Sequence, residues 1–406
     1  MTVTWMKNLT AGLALAVAIV NGSGSALAQK KVAGSQITTF DPQGAGTAAG
    51  QGTFAQQGLN SGTIVGYYID ADAVAHGFIR SVDDKYTLID VPGAAGTQAF
   101  GINDKGTVVG WWFEPPTPNG SVYHGYLRDK HGNLTYFDVP GAGPYQSQGS
   151  SPLVVIPLPL SINLDGTVTG SYVDMKNVNH CFVRSVDGNI TSFDPAGSVG
   201  TVGDTNGINR EGAISGGYTT ADGVIHGFVR DPEGTITSFD GPGAGTTNGN
   251  GSVGEMINDA GTIPGVSLDN NGLNHAFIRY SDGTFVTFGV MGAGTAPGQG
   301  TLATAANVSG TSAGIYVDAK GVNHGFVRSR QGSITTFDVP GEGTGSGQGV
   351  TAVNSINAGA QSWDGTSILT ARTTASSTNK EARTTEAQVN SINCGAASWR
   401  TGSPVT

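Results

Sequence analysis

The chain has 406 residues, 65 of them Gly, with 12% charged residues and a formal net charge of -10. Gly at this level without a three-residue period excludes collagen and fits many tight turns. Lys and Arg form no run beyond two or three residues, which excludes nucleic acid as a partner, because phosphate binding needs concentrated positive charge.

The N-terminal MTVTWMKNLTAGLALAVAIVNGSGSALAQKK predicts an export signal over residues 1–28. Lys7 supplies the charged start, Leu9 to Val20 the apolar run, and Ala26-Leu27-Ala28 the small-residue cleavage pattern. That run falls short of the ~20 residues that span a bilayer. No other segment is a better candidate, so the mature chain is expected to carry no membrane span and to be secreted or periplasmic. Cys181 and Cys394 stand in unlike contexts without a C-x-x-C motif, and read as two unrelated thiols.

ITTFDP (37–42) has the character of a last strand with nothing before it but the export signal. Six repeats follow, aligned on His76, His124, His180, His226, His275 and His324, at intervals of 48, 56, 46, 49 and 49 residues. The long interval holds a Pro-rich insertion, GPYQSQGSSPLVVIPLPL (143–160). Within a unit, four short runs have strand character, as in TQAFGIN, TVVGWW, HGYLR and LTYFDV of the second unit. They are rich in Val, Ile, Thr and aromatics and are bounded by Gly, Asn, Asp and Pro. A period near fifty residues with four strands per unit predicts an all-β fold, a β-propeller of four-stranded blades.

Turn chemistry sets the register. Asn-x-x-Gly joins the first two strands, as in Asn103 to Gly106 and Asn258 to Gly261. Asn bonds its own backbone and Gly supplies the positive φ. DPEGT (231–235) predicts a type I turn with Gly234 as a bulge, because Pro232 excludes a type I′ turn. Counting outward, Arg230 opposes Ile236, Gly227 opposes Phe239, and His226 opposes Asp240. The same fourteen-residue offset pairs His76 with Asp90, His124 with Asp138, His180 with Asp194 and His324 with Asp338. His275 meets Gly289 instead.

A His–Asp pair can orient a catalytic base, but one centre needs one pair and this chain repeats five. They read as structural hydrogen bonds pinning the outer hairpins. Equivalent His on separate blades diverge, which disfavours a shared metal site. The Asp-rich hairpins YIDADAVAHGF and SLDNNGLNHAF lack calcium-loop spacing and read as turns. The runs PQGAGT, VPGAAGT, GPGAGT, VMGAGT and VPGEGT lie between strands and read as blade connections, not phosphate cradles. The repeated Arg (80, 128, 184, 230, 279, 328) reads as solvated or cross-strand. No catalytic, metal-binding or cofactor-binding residue is assigned, and no cofactor is expected.

The motifs G-I-N-x-x-G-x-V-x-G-x-Y, H-G-F-x-R and T-x-F-D-x-P-G resemble the HAF family of bacterial extracellular repeat proteins, over roughly residues 37–357. His275-Ala276-Phe277 matches the tripeptide that names the family. The resemblance implies export and a repeated β-architecture, without a defined activity or catalytic residue.

VTAVNSIN (350–357) begins a further unit that lacks a His-x-Phe strand, and VNSINCGAASW nearly duplicates VNSINAGAQSW. Joined with ITTFDP, the leftover strand completes a composite blade, giving about seven blades; six blades with loose ends is the alternative. The expected organisation is therefore 1–28 signal, 29–372 repeat domain and 373–406 low-complexity tail. A monomeric, non-catalytic scaffold or binding module for a glycan or protein ligand is expected. Trp111, Trp112 and the Pro-rich insertion break the repeat and form the candidate ligand surface. The alternative is an exported glycan hydrolase or lyase with its site at the central channel.

Overall fold

The β-branched and aromatic runs form strands wherever Asn, Asp and Gly supply the turns between them. The computed structural model describes residues 30–31, 38–48, 50–115, 117, 121–143, 161–176, 178–339, 342–353, 355–356, 370–374 and 384–388, all in strands, turns or loops. The segment read as an export signal, residues 144–160 of the insertion, Cys394 and most of the segment read as a tail lie outside them. No helix among the described residues is long and apolar enough to cross a membrane.

Six units of four strands follow one another over 52–89, 96–137, 161–193, 198–239, 251–288 and 300–337. Each is an antiparallel sheet whose strands pair in chain order. In the fourth unit Ile208 pairs with Ile214, Tyr218 with His226, and Arg230 with Ile236. The predicted register holds there: Gly227 opposes Phe239 and Phe228 opposes Ser238. The turns hold as well. Gly234 sits at φ +101 and its amide donates to Asp231 O at 3.1 Å, while Asp231 N donates to Thr235 O at 2.9 Å.

The two leftover motifs fall at opposite edges of one four-stranded set. Gly349–Val353, Thr370–Thr374 and Thr384–Gln388 pair in antiparallel order, and Thr38–Phe40 adds a fourth strand with Thr39 opposite Ala387. This corrects the boundary at residue 372, since a strand lies within the segment read as tail. TTEAQ carries no aromatic residue or apolar alternation, and its Thr residues supply the β-branching instead. This seventh set touches the first unit through Thr384, which pairs with Gly52, and through Ser355 Oγ, which accepts from Gly58 N at 3.3 Å.

The core lies between successive sheets. One cluster joins Phe54 and Tyr67 of the first unit, Phe100, Trp111 and Phe137 of the second, and Phe182 of the third. Another joins Phe337 to Val350 and Val353 of the seventh set. The second strands are buried over most of their length, and those of the first two units are apolar, as in IVGYY and VVGWW.

The Gly-rich connections run from the last strand of one unit to the first of the next, as expected. The Gly at the third position of these runs takes positive φ, as at Gly44 (+100), Gly243 (+82) and Gly292 (+99). A later Gly allows close approach to the next hairpin: a Cβ on Gly294 would lie 2.8 Å from Asp318 O.

Candidate functional site

Asn103, Asn163, Asn209 and Asn258 of the inner turns each have two roles. Asn258 Oδ1 accepts from the amides of Ala260 and Thr262 at 2.9 and 3.0 Å, holding its own turn. Its Nδ2 donates to Asn307 O of the next unit at 2.9 Å. Asn103 reaches Asn163 O at 2.9 Å, Asn163 reaches Arg210 O at 3.4 Å, and Asn209 reaches Asn258 O at 3.2 Å. The turn residue of one unit is thereby tied to the turn of its successor.

The repeated Arg makes a second stitch, and the expectation of a solvated or cross-strand role is corrected for five of the six. Arg184, Arg230, Arg279 and Arg328 lie over Phe137, Phe193, Phe239 and Phe288, each ring belonging to the preceding unit, at 4.7–5.2 Å from guanidinium carbon to ring centroid. Arg80 lies over Phe40 of the N-terminal strand at 4.6 Å. Its end-to-end reach is long enough to leave its own hairpin. The stacked face suits a weakly hydrated planar cation, worth about 0.5–2 kcal/mol per pair depending on burial. Burial lowers the pKa of Arg184, Arg230, Arg279 and Arg328.

The His cluster sits at the end of each sheet where the connections enter. His76, His124, His180, His226 and His324 place Nδ1 2.6–2.8 Å from Asp90, Asp138, Asp194, Asp240 and Asp338. All five predicted contacts form. A second partner was not visible in the repeat. Nε2 faces Asp70 at 3.3 Å, Asp174 at 3.6 Å, Asp269 at 3.2 Å and Asp318 at 3.6 Å in four units. Glu114 and Thr220 take that place at 3.5 and 3.4 Å in the other two. The Asp residues in the hairpins read as turns do hold turns: Asp70 Oδ1 accepts from Asp72 and Val74 amides, leaving Oδ2 for His76. An aromatic ring from the second strand covers five of the six repeat imidazoles, all but His275. The rings are Tyr68, Trp112, Tyr172, Tyr218 and Tyr316, with centroids 4.2–5.4 Å away.

The carboxylates set the charge state. For His324 the Asp338 hydrogen bond outweighs burial, and with the charges of Asp338 and Asp318 it raises the pKa above 6.5. In His180 burial is the largest influence and lowers the pKa, but Asp194 and Asp174 together outweigh it and the pKa is raised. Asp318 is lowered from 3.8, because amides of Val322 and Lys320 and then His324 overcome its burial. Burial, with Asp338, Asp318 and Glu342 adding to it, pushes Tyr316 up to about 12. Among the described residues, His324, Asp338 and Glu342 are one set of three metal-capable side chains whose ligand atoms lie within 4.8 Å of one another.

The fifth unit departs from the rest on two sides of its His. Gly289 stands where the partner carboxylate would be, and Ser267 stands opposite His275 where the others place an aromatic ring. Its side chain is 40% exposed, against 18–24% in the other five units.

The candidate ligand surface is corrected for Trp111. It is buried against Phe137 and Phe182 at 6.2 and 6.5 Å, because alternation along the strand turns it into the space between sheets. Trp112 points the other way and covers His124 at 4.2 Å. Cys181 is buried in a cluster with Ile208, Ile214 and Phe228.

No family model and no curated protein matches this chain. Among solved structures it is similar to AofleA from Arthrobotrys oligospora, at 13% identity over 73% of this chain and 88% of that one, with a TM-score of 0.40. It is similar to the BP39L lectin from Burkholderia pseudomallei, at 10% identity over 80% and 96%, with a TM-score of 0.48. It is also similar to a structure from a study of two prolyl endopeptidases, at 11% identity over 80% of this chain and 47% of that one, with a TM-score of 0.41. None of the three reaches 0.5, and nothing about function follows from them.

Proposed function

We propose that the protein is an exported, non-catalytic binding module or scaffold of the HAF type, built as a seven-bladed β-propeller whose composite blade closes the ring. Its ligand is a glycan or a protein. The observation that carries this reading is the repetition of one self-satisfied polar cluster in unit after unit. In five of the six units His, Asp and an aromatic ring close on each other, and their counterparts stand on separate sheets rather than converging. Groups repeated this way act as architecture, pinning each outer hairpin at the end where the connections cluster. The Asn and Arg stitches hold neighbouring blades in fixed relation. A rim of this kind presents a rigid, repeated surface, and ligand specificity then resides where the repeat is broken.

The test is a glycan array probed with the mature chain, run beside a screen of hydrolase substrates. The reading expects array binding that survives His→Ala changes at positions 76, 124, 180, 226 and 324 in protein that stays folded. Turnover of a glycan that one such change abolishes, with melting unchanged, overturns it. Sequencing the N-terminus of protein recovered outside the cytoplasm tests export, with cleavage expected after Ala28.

A further inference from the structure

The five complete units show what the imidazole Nδ1 of this rim binds: a carboxylate oxygen at 2.6–2.8 Å. His275 keeps the other half of the arrangement, with Nε2 3.2 Å from Asp269 Oδ2. The Asp269 carboxylate is fixed in turn, because its Oδ1 accepts from the amides of Asn271 and Leu273 at 2.8 and 3.0 Å. On the Nδ1 side, Gly289 supplies no side chain, and a Cβ built there meets nothing within 4 Å. Neither the aromatic cover nor the internal acceptor is present, and the imidazole is the most exposed of the six.

We infer that the fifth unit is a ligand site, and that His275 Nδ1 there takes the carboxylate of a small organic acid or acidic sugar in place of the missing aspartate. The protonated imidazole donates from both nitrogens. Asp269 accepts one of these hydrogen bonds, and a bound carboxylate accepts the other, completing the charge-assisted pair that the other units make internally. Ser267, opposite His275 in the sheet, is buried with its hydroxyl 3.3 Å from Ser252 Oγ. It therefore sets the floor beside the ring rather than a second contact. The chain's net charge of -10 works against acidic polymers, so the site takes one carboxylate rather than a run of them. This inference rests on the binding-module reading and names the chemistry of its ligand.

The experiment follows the imidazole ring signals of the six repeat His, set apart from that of His131, by NMR at about pH 6, near the ordinary His pKa. Acetate, D-glucuronate and D-glucose are the probes. The expected result is a saturable shift at His275 with acetate and glucuronate, none with glucose, and none at the five paired His. Tighter binding of glucuronate than acetate assigns the ligand to the sugar acids; equal binding assigns it to carboxylates alone. Gly289→Asp supplies the acceptor internally and should weaken both by about tenfold or more. Asp90→Gly, which removes the internal acceptor at His76 while Tyr68 still covers the ring, should add a second, weaker responding His. Absence of saturation at His275, an unchanged response in Gly289→Asp, or a matching response to glucose overturns the inference. A glycan from the array that binds Gly289→Asp as tightly as the parent also overturns this site, while leaving the binding-module reading in place.

Discussion

Gly325 tests how the outer hairpins pack. It pairs with Phe337, and a Cβ at position 325 would lie 2.6 Å from Phe337 Cε1, with Cζ and Cε2 nearer still. Carbon atoms need about 3.5–4.0 Å, so in Gly325→Ala the ring must retreat by about an ångström or more. Phe337 is fully buried against Val339, Val350 and Val353, which leaves little room for that retreat. Overpacking of this kind costs about 1–3 kcal/mol. The internal comparison is Gly77, which faces Ile89: there the added Cβ meets Ile89 O and Cβ at 3.1 and 3.2 Å, and Gly77→Ala should cost under about 1 kcal/mol. Nature has made the change twice, since Cys181 and Ala276 occupy the position in the third and fifth units, opposite Phe193 and Phe288 that are only partly buried. Chemical denaturation of Gly325→Ala, Gly77→Ala and the double variant Gly325→Ala/Phe337→Leu measures the effect. The smaller side chain should recover part of the loss, a coupling expected of residues in contact. Equal cost at Gly325 and Gly77, or no rescue by Phe337→Leu, would refute the ring-over-glycine account.

Three further outcomes follow from the stitches and the His clusters. Asn258→Ala loses both the turn and the link to the next unit and should cost about 1–3 kcal/mol, whereas Asn258→Asp keeps the acceptor for Ala260 and Thr262 and should cost less; melting curves separate the two. His→Ala losses should be graded rather than equal, because the partner carboxylates range from 25% exposed at Asp338 to 73% at Asp138; His324→Ala should be the most destabilising of the six and His124→Ala worth under about 1 kcal/mol, the usual limit for exposed pairs. Stability should also peak at mildly acidic pH. The raised pKa values of His180 and His324 contribute stability that is full below 6.5 and lost as pH rises through their folded values. The lowered values of Asp174, Asp269 and Asp318 contribute stability that is present above 3.8 and lost as pH falls. Melting temperature against pH should show both flanks, and His180→Ala/His324→Ala should flatten the upper one.

The hairpin register was legible because local rules set it: Pro232 and Gly234 fix the turn, and the turn fixes which residues oppose His226. The second partner of each His was harder to see, since Asp70 and Asp269 already have a complete explanation as turn residues. Contacts between units were hidden altogether. The repeat specifies each sheet from within, and nothing in its spacing says that Arg230 reaches Phe193 or that Asn209 reaches Asn258. Trp111 and Trp112 were separable in principle, because adjacent strand residues face opposite ways. Treating them as one surface ignored that alternation. The special standing of the fifth unit was half visible: Gly289 was evident from the register, while Ser267 gains meaning only once the aromatic cover of the other units is known.

The pairing of the two chain ends carries the architecture on which the functional reading depends, and a cross-link tests it most directly. Thr39 and Ala387 stand opposite each other in adjacent antiparallel strands, where Cα atoms lie about 4.5–5.5 Å apart, within the span of a disulfide. In protein with Cys181→Ala and Cys394→Ser, the pair Thr39→Cys and Ala387→Cys should form an intramolecular disulfide on mild oxidation. Peptide mapping would identify it, and the cross-linked protein should melt higher than its reduced form. Free thiols at both positions in folded protein, or cross-links only between molecules, would contradict closure by the two ends.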